Sequence, residues 1–344
     1  MKKSIKLILS IVICFLIIVP INARATETYS DDDMIYEPYK YPIVPDTDEW
    51  KALTSLDEKL EATHIPDSIL RRLSDDALIE TILNYPLAIN MFVHNSHEEG
   101  YEYVKIQFNG LIELENRGLS DKLYERYIQK SNPPLTRSQN YADWRFEESI
   151  LELLLSQTIY YDYLEEDKAI ELIEIVEEKV NNSEPTVLFF DVLSNPITRN
   201  VGLCIYTPNG SAVDVTRMTY EMSQADINNH NNKLAKGYPN AIRERSASRY
   251  YNCHSYAWYS QSLNNNIWME NPSKYMSDGS YRLTNAVVTG YKMYYPNGNH
   301  SAVIVSAGGS QGGTRVRSKW GSGGLYYHYY NDSPYNSTNV KIYY

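Results

Sequence analysis

At about residue 185 the chain changes its pattern, and that change limits it to helices first and an antiparallel sheet second. Between residues 49 and 182 apolar side chains recur at helical spacing, in the groups Leu78, Ile79, Ile82 and Leu83, then Phe146, Ile150, Leu153 and Leu154, then Leu172, Ile173, Val176 and Val180. Residues three and four apart share a helix face, so each group is a stripe that demands burial. Ser74 before Asp75 and Asp76 suits an N-cap with an acidic first turn, and Pro86 stops the same helix. Ser131-Asn132-Pro133-Pro134 marks a loop inside this half, and Ser183-Glu184-Pro185 closes it. Beyond it come hairpin signals. Val201 to Tyr206 and Ser211 to Thr216 flank Thr207-Pro208-Asn209-Gly210, and Gly290 to Tyr295 and Ser301 to Val305 flank Pro296-Asn297-Gly298-Asn299. A further run, Thr314 to Trp320, follows a glycine-rich turn, while residues 222–249 are polar and helical in part. The expected fold class is therefore α+β, with an all-α helical domain over 49–185 and an α+β domain with an antiparallel sheet over 198–344. No repeat of fixed period stands out.

Charge divides at the same place. Residues 26–190 carry 14 Lys and Arg against 35 Asp and Glu, whereas residues 191–344 carry 14 against 8. Such asymmetry between halves suggests two domains with different neighbours. The basic half also holds 19 of the 32 tyrosines and suits a polyanionic, glycan-rich surface, although an ordinary tyrosine-rich extracellular surface reads the same way. Lys2, Lys3 and Lys6, the apolar run from Leu7 to Val19, and Ala23-Arg24-Ala25 form a secretory signal over 1–25, which implies an exported mature chain starting near Thr26. No later stretch approaches the roughly 20 apolar residues of a membrane span. Residues 26–48, with Asp31-Asp32-Asp33 and three prolines, read as an extended leader. Nothing resembles an RNA- or DNA-binding motif, so no nucleic-acid partner is expected.

After export two cysteines remain, Cys204 and Cys253. An even number in an oxidising compartment raises the possibility of a disulfide. Against it, Val201-Gly202-Leu203-Cys204-Ile205 reads as a buried strand. Cys253 opens what reads as a short helix, with Ala257 and Gln261 at successive fourth positions and Tyr256, Trp258 and Tyr259 as packing anchors. A cysteine in a first helical turn feels the partial positive charge of the N-terminus, which favours the thiolate. His254 points about 100° away on that helix and reads as a packing residue. His300, at the entry of a strand, is the better base, because the strand would hold the imidazole while the helix presents the sulfur. His94 and His97, with Glu98 and Glu99 beyond them, have metal-ligand spacing but no HExxH frame, and the two histidines read as solvated loop or helix-start residues. No metal or organic cofactor is expected.

A cysteine-bearing helix, a tyrosine-rich strand, Asn299-His300-Ser301-Ala302-Val303-Ile304-Val305, a glycine turn and Arg315-Val316-Arg317-Ser318-Lys319-Trp320-Gly321 resemble the papain-like CHAP and NlpC-type cell-wall amidases and peptidases. The resemblance covers Tyr250 to Trp320 and rests on order and spacing. It implies a papain-like domain, Cys253 as nucleophile, His300 as general base, and peptidoglycan stem peptides or cross-bridges as substrate. The chain departs from the family where a Gly-Asp pair appears as Gly290-Tyr291, and where the third catalytic position has no Glu, Asn, Gln or His. Ser318 lies nearest to that position, with Lys319 beside it and His328 farther on. The functional expectation is a secreted cysteine hydrolase with Cys253, His300 and Ser318 as catalytic residues. Its rival is a non-enzymatic exported binding protein with a degenerate papain-like domain contacting cell-surface glycan or protein. Each residue keeps a structural alternative: a buried or disulfide-bonded Cys253, a loop-capping His300, an ordinary strand Ser318, and Trp320 with its tyrosines as packing.

Overall fold

The computed structural model describes residues 30–130, 139–182, 186–187, 201–308 and 313–344. The signal segment 1–25 and the loops expected at Ser131–Pro134 and Ser183–Pro185 lie outside the described residues. Residues Ile35–Tyr344 form one compact unit. Helices fill its first half: α1 (Leu56–Ala62), α2 (Asp75–Leu83), α3 (His97–Lys105), α4 (Asn109–Arg117), α5 (Ser120–Lys130), α6 (Gln139–Leu155) and α7 (Glu166–Asn181). Local chemistry starts them where the sequence allows. Ser74 caps α2 by accepting from the Ala77 N–H at 3.2 Å, and Ser55 with Glu58 closes a reciprocal capping box on α1. The stripes point inward: Leu78, Ile79, Ile82 and Leu83 of α2, Phe146, Ile150, Leu153 and Leu154 of α6, and Leu172 and Val176 of α7 are all buried. Residues 35–48 are extended but docked. Ile35 bridges to Leu73, the Tyr39 N–H donates to Thr81 Oγ1 at 2.9 Å, and Tyr41 is buried against α2.

One further helix, α8 (Gln224–Gly237), precedes most of the strands. Strands β1 (Val201–Tyr206), β2 (Ala212–Arg217) and β4 (Ile267–Trp268) make a small sheet in the order β1-β2-β4. The larger sheet runs β3-β9-β8-β7-β6-β10-β5, with β3 (Ile242–Arg245), β5 (Leu283–Thr284), β6 (Lys292–Tyr295), β7 (His300–Ser306), β8 (Arg315–Lys319), β9 (Leu325–Tyr329) and β10 (Lys341–Tyr343). Every pairing in both sheets is antiparallel. Both expected hairpins form, as β1–β2 and β6–β7. In β1 the alternation turns Ile205 inward and Cys204 outward, so Cys204 is exposed where a buried strand residue was expected. It donates to Asp214 Oδ1 at 3.1 Å, and both Cys204 and Cys253 are free thiols.

Register gives the large sheet two chemically distinct faces. Tyr295 pairs with His300, Tyr294 with Ser301, Val303 with Arg317, Ile304 with Val316, Val316 with His328 and Ser318 with Tyr326. Because side chains alternate, His300, Ala302, Ile304, Val316, Ser318 and His328 share one face, and Ser301, Val303, Arg317 and Lys319 share the other. The Val303 face packs on Tyr256, Trp258, Met269 and the small sheet. On the His300 side, Trp320, Tyr326 and Tyr335 join the core of the helical half, with Trp50, Leu87, Val93 and Leu234. Trp50 also donates its Nε1–H to Gly237 O at 3.0 Å. The acidic and basic halves are thus built around a shared core.

Candidate active site

Cys253 and His254 begin a short helix whose next residues, Ser255–Tyr259, wind as a π-helical turn, α9. Such turns are rare and concentrate at functional sites. Asn252 caps it. Its Oδ1 accepts from the Ser255 N–H at 3.1 Å and the Met269 N–H at 3.3 Å, while its Nδ2 donates to Met269 O at 2.6 Å and to Asn95 Oδ1 at 2.9 Å. Cys253 therefore occupies the first turn, as its sequence position implies. Its side chain is closed off, at 2% exposure. Burial pushes the thiol up to about 12, against the opposing effect of the Ser301 and His254 backbone N–H groups on the sulfur. Glu99 and Lys319 are its charged neighbours, with opposite signs of influence.

Around the sulfur lies a closed polar chain. His254 Nδ1 contacts Ser301 Oγ at 2.8 Å, His254 Nε2 contacts Asn299 Oδ1 at 3.2 Å, and Trp258 Nε1 donates to Ser301 Oγ at 2.8 Å. Trp258 is a donor only, so Ser301 gives its hydroxyl proton to His254 Nδ1, and the Nε2–H of the ring points at Asn299; this tautomer follows from the hydrogen-bond network. Asn299 Nδ2 then donates to Glu99 Oε1 at 2.7 Å. Burial lowers His254 to about 4, which keeps the ring neutral, and burial raises the Glu99 carboxyl against its hydrogen bonds from Asn299 and Asn95. His254 is thus fully partnered and positions its surroundings.

His300 stands differently. Its ring stacks on Tyr335 with centroids 3.6 Å apart at 9°, and Tyr295 meets it edge-on at 5.2 Å. Both ring nitrogens are buried without a hydrogen-bond partner, so the imidazole makes no hydrogen bond to Cys253. Burial, followed by the neighbouring His328, His254 and His94, holds it well below the ordinary histidine range. Ser318 shares the His300 face, but its Oγ lies 2.8 Å from His328 Nε2 and accepts from Trp320 Nε1 at 3.1 Å. The His328 Nδ1–H donates to Tyr329 O at 2.7 Å, leaving Nε2 as the acceptor for Ser318. Ser318 thus touches His328 and not His300. Lys319, buried on the Ser301 face, donates to the carbonyls of Ser248 at 2.6 Å and Gly323 at 2.7 Å and also to Gly321; burial lowers it to about 7.

Several site residues were not anticipated from the sequence. Glu99 lies at the site, and His94 is buried against Tyr103 and Tyr335 where a solvated position was expected. Ser96 to Glu99 matches the pattern that starts helices, and Ser96 does cap α3; its contact with a residue 200 positions away carries no local signal. Asn299, at φ 41° in a hairpin turn, is one of the few residues outside glycine with a left-handed backbone. Among the described residues no group of three or more His, Cys, Asp or Glu side chains is arranged to hold a metal ion, and no helix is long and apolar enough to cross a membrane. Comparison of the chain with family models, with curated proteins and with solved structures finds no match.

Proposed function

We propose that this chain is an exported cysteine hydrolase that cleaves or transfers an amide bond, with Cys253 as nucleophile, His300 as base and cell-wall peptides as substrate. One observation carries the reading: of two consecutive residues of β7, Ser301 has a backbone N–H that favours charge on the Cys253 sulfur, and His300 has an imidazole buried with neither nitrogen satisfied. Each buried polar atom left without a partner costs on the order of 1–3 kcal/mol. Folded proteins retain few such atoms, and a catalytic role is one of the reasons they do. The antiparallel sheet with a cysteine-bearing helix packed on it supports a papain-like arrangement.

In the proposed reaction a His300 ring nitrogen takes the thiol proton and the sulfur bonds to the amide carbonyl carbon. The C–N bond then breaks as the imidazolium returns the proton to the leaving amine. Water, or an acceptor amine, attacks the thioester and restores the thiol. Backbone N–H groups near Cys253 face the developing oxyanion, and those of Ser301 and His254 stabilise charge on the sulfur. Ser318 contributes indirectly, through His328, an electrostatic neighbour of His300. The resting geometry is not the reacting one: the His300 ring stacks on Tyr335 on the sheet face away from Ser301 and α9, so it has to leave that stack and reach past the start of β7 before it bonds to the thiol.

One feature favours the rival reading, a non-enzymatic exported binding protein that contacts cell-surface glycan or protein. The thiol is closed off and held protonated, with no base bonded to it. Incubating the protein with purified sacculi, and identifying released peptides by mass, separates the two. The hydrolase reading expects new amine and carboxylate ends with the wild type and none with Cys253→Ala. Intact sacculi with both proteins, after Cys253 has been shown to be chemically accessible, would leave the binding reading.

A further inference from the structure

We infer that residues 92–99 of the helical half form a displaceable cover over Cys253, so that the thiol is latent in this conformation and becomes reactive when that segment moves. This deepens the reading of Cys253 as a nucleophile by assigning its regulation. Four hydrogen bonds fasten the segment to loops that surround the cysteine. Phe92 O accepts from Ser322 Oγ at 2.6 Å, Val93 O from Tyr335 Oη at 2.6 Å, Asn95 Oδ1 from Asn252 Nδ2 at 2.9 Å, and Glu99 Oε1 from Asn299 Nδ2 at 2.7 Å. Their partners come from the residue before Cys253, the turn before His300, the turn after β8, and the tyrosine on which His300 stacks. One short segment is therefore tied to four separate points around the site.

Two further observations point the same way. Gly321 has φ +47°, and a Cβ placed there would lie 2.3 Å from Val93 O, so the chain keeps a glycine where the cover meets the sheet. His94, between Tyr103 and Tyr335, is buried with its Nε2 unpartnered, a cost that the closed arrangement bears and an opened one relieves. The fastening bonds use backbone carbonyl, amide, hydroxyl and carboxylate groups, which water replaces when the segment lifts; the larger cost is exposing Phe92 and Val93, which are buried in the shared core. Movement of this kind would expose the sulfur and free Tyr335, releasing the ring stacked on it.

Native-state alkylation with iodoacetamide tests the cover without reference to activity, because exposed Cys204 provides an internal standard in the same molecule. In the wild type, peptide mapping should show Cys204 modified first, with Cys253 slower by about 100-fold or more. The double variant Asn95→Ala/Glu99→Ala should speed Cys253 by at least about tenfold and leave the Cys204 rate and the far-UV spectrum unchanged. Gly321→Ala, which pushes on Val93 from the other side, should do the same. Cys253 reacting as fast as Cys204 in the wild type overturns the cover, as does a Cys253 rate unchanged in both variants. Sacculus digestion by the opened variants reports separately on the hydrolase: an accessible thiol with no products keeps the cover and removes the enzyme.

Discussion

Asn252 engages both ends of its amide in holding Cys253. The oxygen ends the orphaned N–H run of the helix and also takes the Met269 N–H, while the nitrogen reaches Met269 O and Asn95. An alanine there removes the cap, worth about 1 kcal/mol. It also strands the buried Met269 carbonyl, at roughly 1–3 kcal/mol, whereas the half-buried Asn95 turns to water. Asn252→Ala should therefore lose about 2–4 kcal/mol, read as a shift of the urea midpoint followed by tryptophan fluorescence. Asn252→Asp discriminates the cause. It keeps the cap acceptor but turns an oxygen toward Met269 O and Asn95 Oδ1, so it should not restore stability. An Asp variant as stable as the wild type would mean that the amide nitrogen contributes nothing.

At the scale of elements, what could be read from the sequence was local. The Ser74 cap, the α2, α6 and α7 stripes, the two hairpins, the strand over Arg315–Lys319 and the start of a helix at Cys253 each follow from neighbours within a few residues. Ser74→Ala should thus cost about 1 kcal/mol, within a range of about 0.5–2, measured by chemical denaturation. An unchanged midpoint would show that the Ala77 N–H finds another acceptor. Strand parity is what the site reading lacked. Consecutive residues of β7 face opposite sides of the sheet, so His300 and Ser301 do not both turn toward α9. Choosing His300 by chemical type picked the first residue of β7, while the side chain that contacts His254 and Trp258 is Ser301. For Ser318 parity is not the reason: it shares the His300 face, but register puts it opposite Tyr326 and its hydroxyl finds His328. Cys204, like His300, failed on parity, since a strand with one solvated face exposes every second residue.

Across the whole molecule, histidines are buried in the neutral form in both halves, and this ties stability to pH. Burial is the leading cause at each site: it lowers His94 to about 3, His230, His254 and His328 to about 4, and His300 well below its ordinary value. In the unfolded chain these rings titrate near 6.5. Between about pH 6.5 and 4, therefore, the unfolded state binds protons that the folded state refuses, and stability falls as pH falls. Each ring contributes up to about 1.4 kcal/mol per pH unit across that window. Glu99 acts in the opposite sense, because its raised carboxyl keeps a proton in the folded state that the unfolded chain gives up, but it is a single group against several. His94, from the helical half, and His300, from the sheet, pack against the same Tyr335, so loss of either arrangement should propagate to both halves. Urea titrations should show one cooperative transition whose midpoint drops steeply from pH 7 to pH 5. His94→Phe, which replaces a ring with one unsatisfied nitrogen by one that does not titrate, should flatten that dependence by about one proton's worth. A midpoint constant from pH 7 to pH 5 would mean that the buried rings take up protons in the folded state, which contradicts their burial.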